Sequence, residues 1–168
     1  YIAQNGIQLG FGALGTVEEN VVSDNWYTGG FWVSTGVLAY DVDGTASEEN
    51  TLVDDQVGVY IFGDSNEAEE NTFDPNYWGI ILWGDYNEAS ENDILCQSIG
   101  IDVYGNYNNV EENFIHGVDE TQMCDIGILD EKDIGTGAGN EFEENEFDYV
   151  VDEILDPEPT TPLGSPFE

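Results

Sequence analysis

Asp102 and Asp130 occupy positions that elsewhere in this chain carry apolar or aromatic side chains. Two carboxyl groups about 5–10 Å apart are the minimum equipment for glycoside hydrolysis, one protonated as general acid and the other ionised as nucleophile or base. Thirty-seven Asp and Glu residues also make such pairs by chance, so solvated acids are the plain alternative for both. A lyase acting on acidic sugar needs in addition a base that titrates above the carboxylates. His116 and Lys132 alone could supply it, on two different insertions, and the absence of arginine argues further against that chemistry.

Metal chemistry has equally few handles. Asp41-Val-Asp43-Gly44, with Glu48 close behind, opens like a calcium turn but lacks the remaining spacing of an EF-hand loop. No cofactor is expected, with calcium as the one ion left open. A single His and two separated Cys supply no zinc or copper set. Cys96 and Cys124 fall just before corresponding glycines and read either as a disulfide between neighbouring coils or as two small buried thiols.

Aromatic side chains offer a binding reading instead. Trp26, Tyr27, Phe31 and Trp32 crowd one insertion; Tyr40, Tyr60, Phe62, Trp83 and Tyr104 recur at fixed offsets after a glycine. Flat rings cover the C–H faces of sugars and dock partners, whereas rings that stack on one another or pack against the protein do neither. Both readings remain open at this point.

The elements that position these residues follow from two interlocked repeats. Val17-Glu-Glu-Asn20, Ala46-Ser-Glu-Glu-Asn50, Ala68-Glu-Glu-Asn71, Ala89-Ser-Glu-Asn92, Val110-Glu-Glu-Asn113 and Phe142-Glu-Glu-Asn145 form one. Gly6-Ile7, Gly36-Val37, Gly58-Val59, Gly79-Ile80, Gly100-Ile101 and Gly127-Ile128 form the other. The central asparagines lie 21 residues apart, a solenoid period. Gly79 to Gly84 alternates with period two and predicts a strand with Ile80 and Leu82 inward. Ala89 to Glu91 predicts a second short strand, and Asn92 to Ile94 a turn.

Inward columns are then Val37, Val59, Ile80, Ile101 and Ile128; Ala39, Ile61, Leu82 and Val103; and Val22, Leu52, Phe73, Ile94, Ile115 and Phe147. The asparagines predict an internal amide ladder. Strands too short for a helical pattern and β-branched inward positions indicate an all-β chain, a single-stranded parallel β-helix with about 21–22 residues per coil.

This phrase, Gly-Ile-x-Leu-x-Gly followed by Asn-x-x-x-x-Asn-x-Ile, resembles the right-handed parallel β-helix repeats of the pectate-lyase-like superfamily. Within it, the pattern resembles particularly the family of the periplasmic copper-processing protein of nitrous oxide reductase, with its many haloarchaeal relatives. The resemblance spans residues 1 to 150 and implies the fold; it does not imply a reaction, because the superfamily holds enzymes and non-catalytic adhesins alike. The family's copper chemistry does not carry over, since no Met or His cluster exists here.

Where the repeat breaks, loops leave the rod. Asn50 to Gly58 is 8 residues, but Asn20 to Gly36 is 16 and Asn113 to Gly127 is 14, which places the aromatic insertion and the His116 insertion at one corner. A third insertion falls between Glu131 and Gly139. Residues 1–155 are read as the solenoid, a fragment or processed form of a longer one. Residues 156–168, rich in proline, end the stack as a tail or cap.

A formal charge of −36 repels nucleic acid and anionic lipid. Carboxylates packed this densely also repel one another, and the screening length shrinks from about 10 Å at 0.1 M salt to roughly 3 Å at 1 M. The composition resembles that of proteins from extreme halophiles. No apolar run is long enough to span a membrane. The reading is an extracellular or cell-surface scaffold, adhesin or glycan-binding module, with a polysaccharide or surface glycoprotein as partner and lateral or end-to-end self-association open. A polysaccharide hydrolase or, less well supported, a lyase is the alternative.

Overall fold

The computed structural model describes residues 5–29, 33–131 and 139–155. Among them there is no helix; seventeen strands pair in parallel into one sheet of eleven strands and one of six. The chain is a parallel β-helix, as the double repeat predicts. A typical coil contributes Glu67–Glu69 to the small sheet, reverses at Glu70, and runs on as Thr72–Trp83 in the large one. The next coil repeats this with Glu88–Ser90 and Asp93–Tyr104, in register except for an irregularity around Cys96, which pairs with Asn76.

The turn expected over Asn92–Ile94 is shorter than that. Glu91 takes a positive φ of 54°, so the direction changes within one residue and the strand resumes at Asp93. Glu19, Glu49, Glu70, Glu112 and Glu144 do the same at φ of 51–55°. Left-handed geometry disfavours a side chain bearing Cβ, but here each coil holds it: the Glu70 N–H donates to Ser90 O at 3.1 Å and the Glu91 N–H to Glu111 O at 3.2 Å.

The core follows the predicted columns. Val59, Ile80, Ile101 and Ile128 are fully buried, as are Leu52, Phe73, Ile94 and Ile115. Phe73 and Ile94 explain the glycine half of the repeat. A Cβ on Gly58 would sit 2.4 Å from the Phe73 ring, and one on Gly79 would sit 2.6 Å from Ile94 Cγ2 and 2.4 Å from Gly100 O. Large side chains from one wall cross the coil to the strand opposite, and only glycine leaves them room. The small sheet meets this with Ser47, Ala68 and Ala89 inward.

Two amide ladders line the corners beside the small sheet. In one, the Asn71 N–H and Nδ2 donate to Asn92 Oδ1 at 3.0 and 3.1 Å, while Asn71 Nδ2 also donates to Ser47 O at 2.7 Å. Asn50, Asn92 and Asn113 repeat the pattern. In the other, Asn66, Asn87, Asn108 and Asn140 are joined the same way, with Thr45 at its start. The ladder amides thereby pair turn N–H and C=O groups from one coil to the next. Cys96 and Cys124 form a disulfide with Cα atoms 5.3 Å apart, tying Asp93–Tyr104 to Cys124–Glu131 across the second insertion.

Candidate functional site

The outward face of the large sheet carries the recurrent aromatics. Tyr40 and Phe62 stack with centroids 5.1 Å apart at 15°, and Trp83 and Tyr104 at 4.8 Å and 15°; Phe62 meets Trp83 at 5.9 Å, tilted by 53°. These faces are spent on one another, so a sugar lying on this stripe would meet ring edges. Beside it, Leu38, Tyr60 and Ile81 point away from the coil yet are buried, Tyr60 to 1% exposure, in a second apolar cluster with Val33, Val57 and Trp78. Tyr60 therefore presents no accessible face, and the stripe open to a ligand is narrower than the sequence suggests.

Asp102 extends the Leu38–Tyr60–Ile81 column, paired with Ile81 on one side and Leu129 on the other. It is 2% exposed and its Oδ1 has no hydrogen-bond partner. Burial pushes this carboxyl well above the usual carboxylate range, and the charge of Glu131 adds to the effect. Tyr60 and Tyr104 are pushed up as well, first by burial and then by the charge of Asp102; for Tyr104, Glu131 contributes both charge and a hydrogen bond. Asp130 belongs to the other face. It pairs with Val103, points into the coil, and accepts from Asn140 Nδ2 at 2.7 Å. The two aspartates do not converge, and the acid near Asp102 is Glu131.

A different aromatic group is accessible. Trp26, 47% exposed, lies 6.3 Å from the ring of Tyr77, 41% exposed, which stacks on Trp78 at 6.1 Å and 21°. Regular coils hold this corner: Gln56 Oε1 accepts the N–H groups of Tyr27 at 3.3 Å and Ser34 at 3.0 Å, and Asn25 is bound to Asp55. Tyr27 is half-buried; Phe31 and Trp32 lie outside the described residues. Tyr77 escaped the sequence reading although it stands one 21-residue period after Gln56, at the same corner as the insertion.

Asp41, Asp43 and Glu48 do not form one set. Asp43 is a rung in an exposed ladder, where Asp43 Oδ1 accepts the Asp64 N–H and Asp64 Oδ1 accepts the Asp85 N–H, at 2.9 and 2.8 Å. Glu48 instead joins Glu67 and Glu69, with carboxylate oxygens within 4.8 Å of one another, beside a pocket of about 270 Å³ lined also by Thr16 and Ser65. Burial and the charges of Glu70, Glu48, Glu67 and Glu88 raise Glu69. The third group of interest, His116, stacks on Phe114 and places Nε2 3.0 Å from Asp93 Oδ1.

Compared with known protein families, residues 2–127 match the model described as Periplasmic copper-binding protein (NosD). The chain belongs to the NosD family. No curated protein and no solved structure gives a match. The donor set of this NosD-family chain does not suit copper, which favours imidazole, thiolate and thioether ligands. The one histidine is engaged with Asp93, both cysteines are oxidised, and Met123 is the only methionine. Carboxylates such as Glu48, Glu67 and Glu69 suit hard cations. No helix among the described residues is long and apolar enough to cross a membrane.

Proposed function

We propose that this chain is a non-catalytic β-helical scaffold working outside the cytoplasm in strong salt, and that it docks a glycan or a surface glycoprotein through the Trp26–Tyr77 corner. The observation that carries this reading is the exposure of those two rings on a corner fixed by Gln56 and Asn25. Rigid aromatic anchors contribute contact area at low entropic cost. The family's periplasmic description and the Cys96–Cys124 disulfide support an oxidising compartment. A charge of −36, with glutamates such as Glu48 and Glu69 paired in register, supports a salt-rich setting of the haloarchaeal kind.

The test is retention on a panel of insoluble neutral and acidic polysaccharides in about 2–4 M KCl, a range chosen so that acidic surfaces are screened. Trp26→Ala and Tyr77→Ala should each release the bound chain, while Trp83→Ala should not. Equal retention of all three variants would remove the corner from the reading.

A polysaccharide hydrolase stays as the second reading on one observation: the charge of Glu131 acts on the buried Asp102 beside the Trp83–Tyr104 stack. Two neighbouring carboxyls in different surroundings are the equipment of acid–base glycoside hydrolysis. Against it, Asp102 is buried, and a general acid must reach the leaving oxygen. Release of reducing ends that Asp102→Asn abolishes would establish the second reading.

A further inference from the structure

A third internal ladder contains one irregular rung. Asn25, Asp55 and Asn76 stack through the corner that carries the aromatic insertion. The Asn25 N–H and Nδ2 donate to Asp55 Oδ1 at 2.9 and 2.8 Å, and the Asp55 N–H donates to Asn76 Oδ1 at 2.8 Å. In this respect Asp55 behaves like an asparagine. The difference lies in the second side-chain atom. Rungs above the first coil use Nδ2 to donate to a backbone carbonyl of the coil below: Asn76 to Leu52 O at 2.9 Å, Asn50 to Val17 O at 2.8 Å. Asn50 and Val17 belong to the same two coils as Asp55 and Val22, with the same separation of 33 residues. By the same spacing Asp55 Oδ2 takes the place from which an asparagine would give Val22 O, already paired in the β-ladder, a second donor. Asp55 Oδ2 is fully buried and has no hydrogen-bond partner.

We propose that Asp55 is a protonated rung, a neutral carboxyl that imitates asparagine by donating from Oδ2 to the Val22 carbonyl, and that loss of this proton loosens the first coil and the Trp26 corner attached to it. An ionised Oδ2 would face a carbonyl oxygen with no donor available, which is the costly arrangement for a buried acceptor. The site is closed tightly. A Cβ on Gly36 would stand 2.5 Å from Oδ2 and 3.0 Å from Leu52 Cδ2. The charged groups acting on it are Asp24 and Asp54, and both disfavour ionisation. Burial raises the carboxyl further, while the two bonds from Asn25 lower it; burial is the largest effect and the net direction is upward.

A carboxyl that holds its proton more tightly folded than unfolded contributes nothing unfavourable below its unfolded value near 3.8, and stability is lost as pH rises from there through the folded value. Asp55→Asn restores the missing donor without a titrating group. Melting temperatures of the full chain and of Asp55→Asn, measured from pH 4 to pH 8 in concentrated KCl, provide the test. The melting difference in favour of Asp55→Asn should be small at pH 4 and widen toward pH 8, and Trp26 should become harder to quench in the variant at pH 8. A difference that stays flat with pH, or an Asp55→Asn chain that melts lower or fails to fold, would overturn the proposal.

Discussion

Asp102 and Asp130 stand on adjacent strands of one sheet but on its opposite faces, Asp102 between Ile81 and Leu129 outside and Asp130 opposite Val103 within. One is a carboxyl among apolar neighbours whose Oδ1 has no hydrogen-bond partner; the other closes a corner through Asn140. A pair separated by the sheet cannot share a substrate.

Asp102 therefore costs stability where it stands. Its carboxyl is raised by burial, so the folded chain loses stability as pH rises through the carboxylate range toward neutrality. Asp102→Leu, which continues the column of Ile81 and Leu129, should melt higher than the parent at pH 7 and show a weaker pH dependence. A lower melting temperature at pH 7 would mean that Asp102 has a favourable partner after all.

The asparagine ladders should be expensive to break. Asn71 receives two bonds from Asn50 and donates to Ser47 O and Asn92. Asn71→Leu leaves several of these buried groups unpaired and should cost at least about 1–3 kcal/mol in denaturant unfolding. Loss of less than half of that would show that the neighbouring coils close over the gap.

Glycine is required where a large side chain crosses the coil. Gly79→Ala introduces a Cβ against Ile94 and Gly100 O, and overpacking of this kind costs typically about 1–3 kcal/mol. The paired variant Gly79→Ala with Ile94→Ala should recover part of the clash term, visible as non-additivity in a double-mutant cycle.

The disulfide closes a separation of 28 residues. Replacing Cys96 and Cys124 together by alanine should lower stability by about 2–4 kcal/mol on the chain-entropy account. Circular dichroism should still show β structure, because the columns on either side do not depend on the bridge.

Much of this was legible in the sequence because each coil answers the same steric demands. The period, the inward columns and the glycine at Gly79 all express one cross-section, repeated. Ladder geometry was legible at Asn71 and Asn92, but Asp55 was not, since its place in a third ladder depends on a corner that the aromatic insertion disguises. Tyr60 points outward as its offset from glycine requires, but it is buried by Val57, Trp78 and the rings beside it on the same face, a lateral packing that period two does not express. Tyr77 and Gln56 could have been found by following the 21-residue period through the irregular corner.

Charge is also repeated, and that has a measurable consequence. Glu48, Glu69 and Glu67 stand within reach of a single ion, and like charges on paired strands repel. Melting temperature should rise steadily with KCl, and Glu69→Gln should raise it most at low salt, where screening is weakest. A chain equally stable at 0.1 M and 3 M KCl would contradict this reading; these concentrations are roughly a Debye length of 10 Å and well under 3 Å.

The most direct test of the scaffold account is a single incubation read two ways. The chain, in about 2–4 M KCl to screen its surface, is mixed with each polysaccharide of the panel, and both the bound fraction and the new reducing ends are measured, with Trp26→Ala and Asp102→Asn alongside. The account predicts binding that Trp26→Ala abolishes and Asp102→Asn leaves intact, with no reducing ends above the background. Reducing ends that appear with the parent chain and vanish with Asp102→Asn would contradict it and make the protein an enzyme.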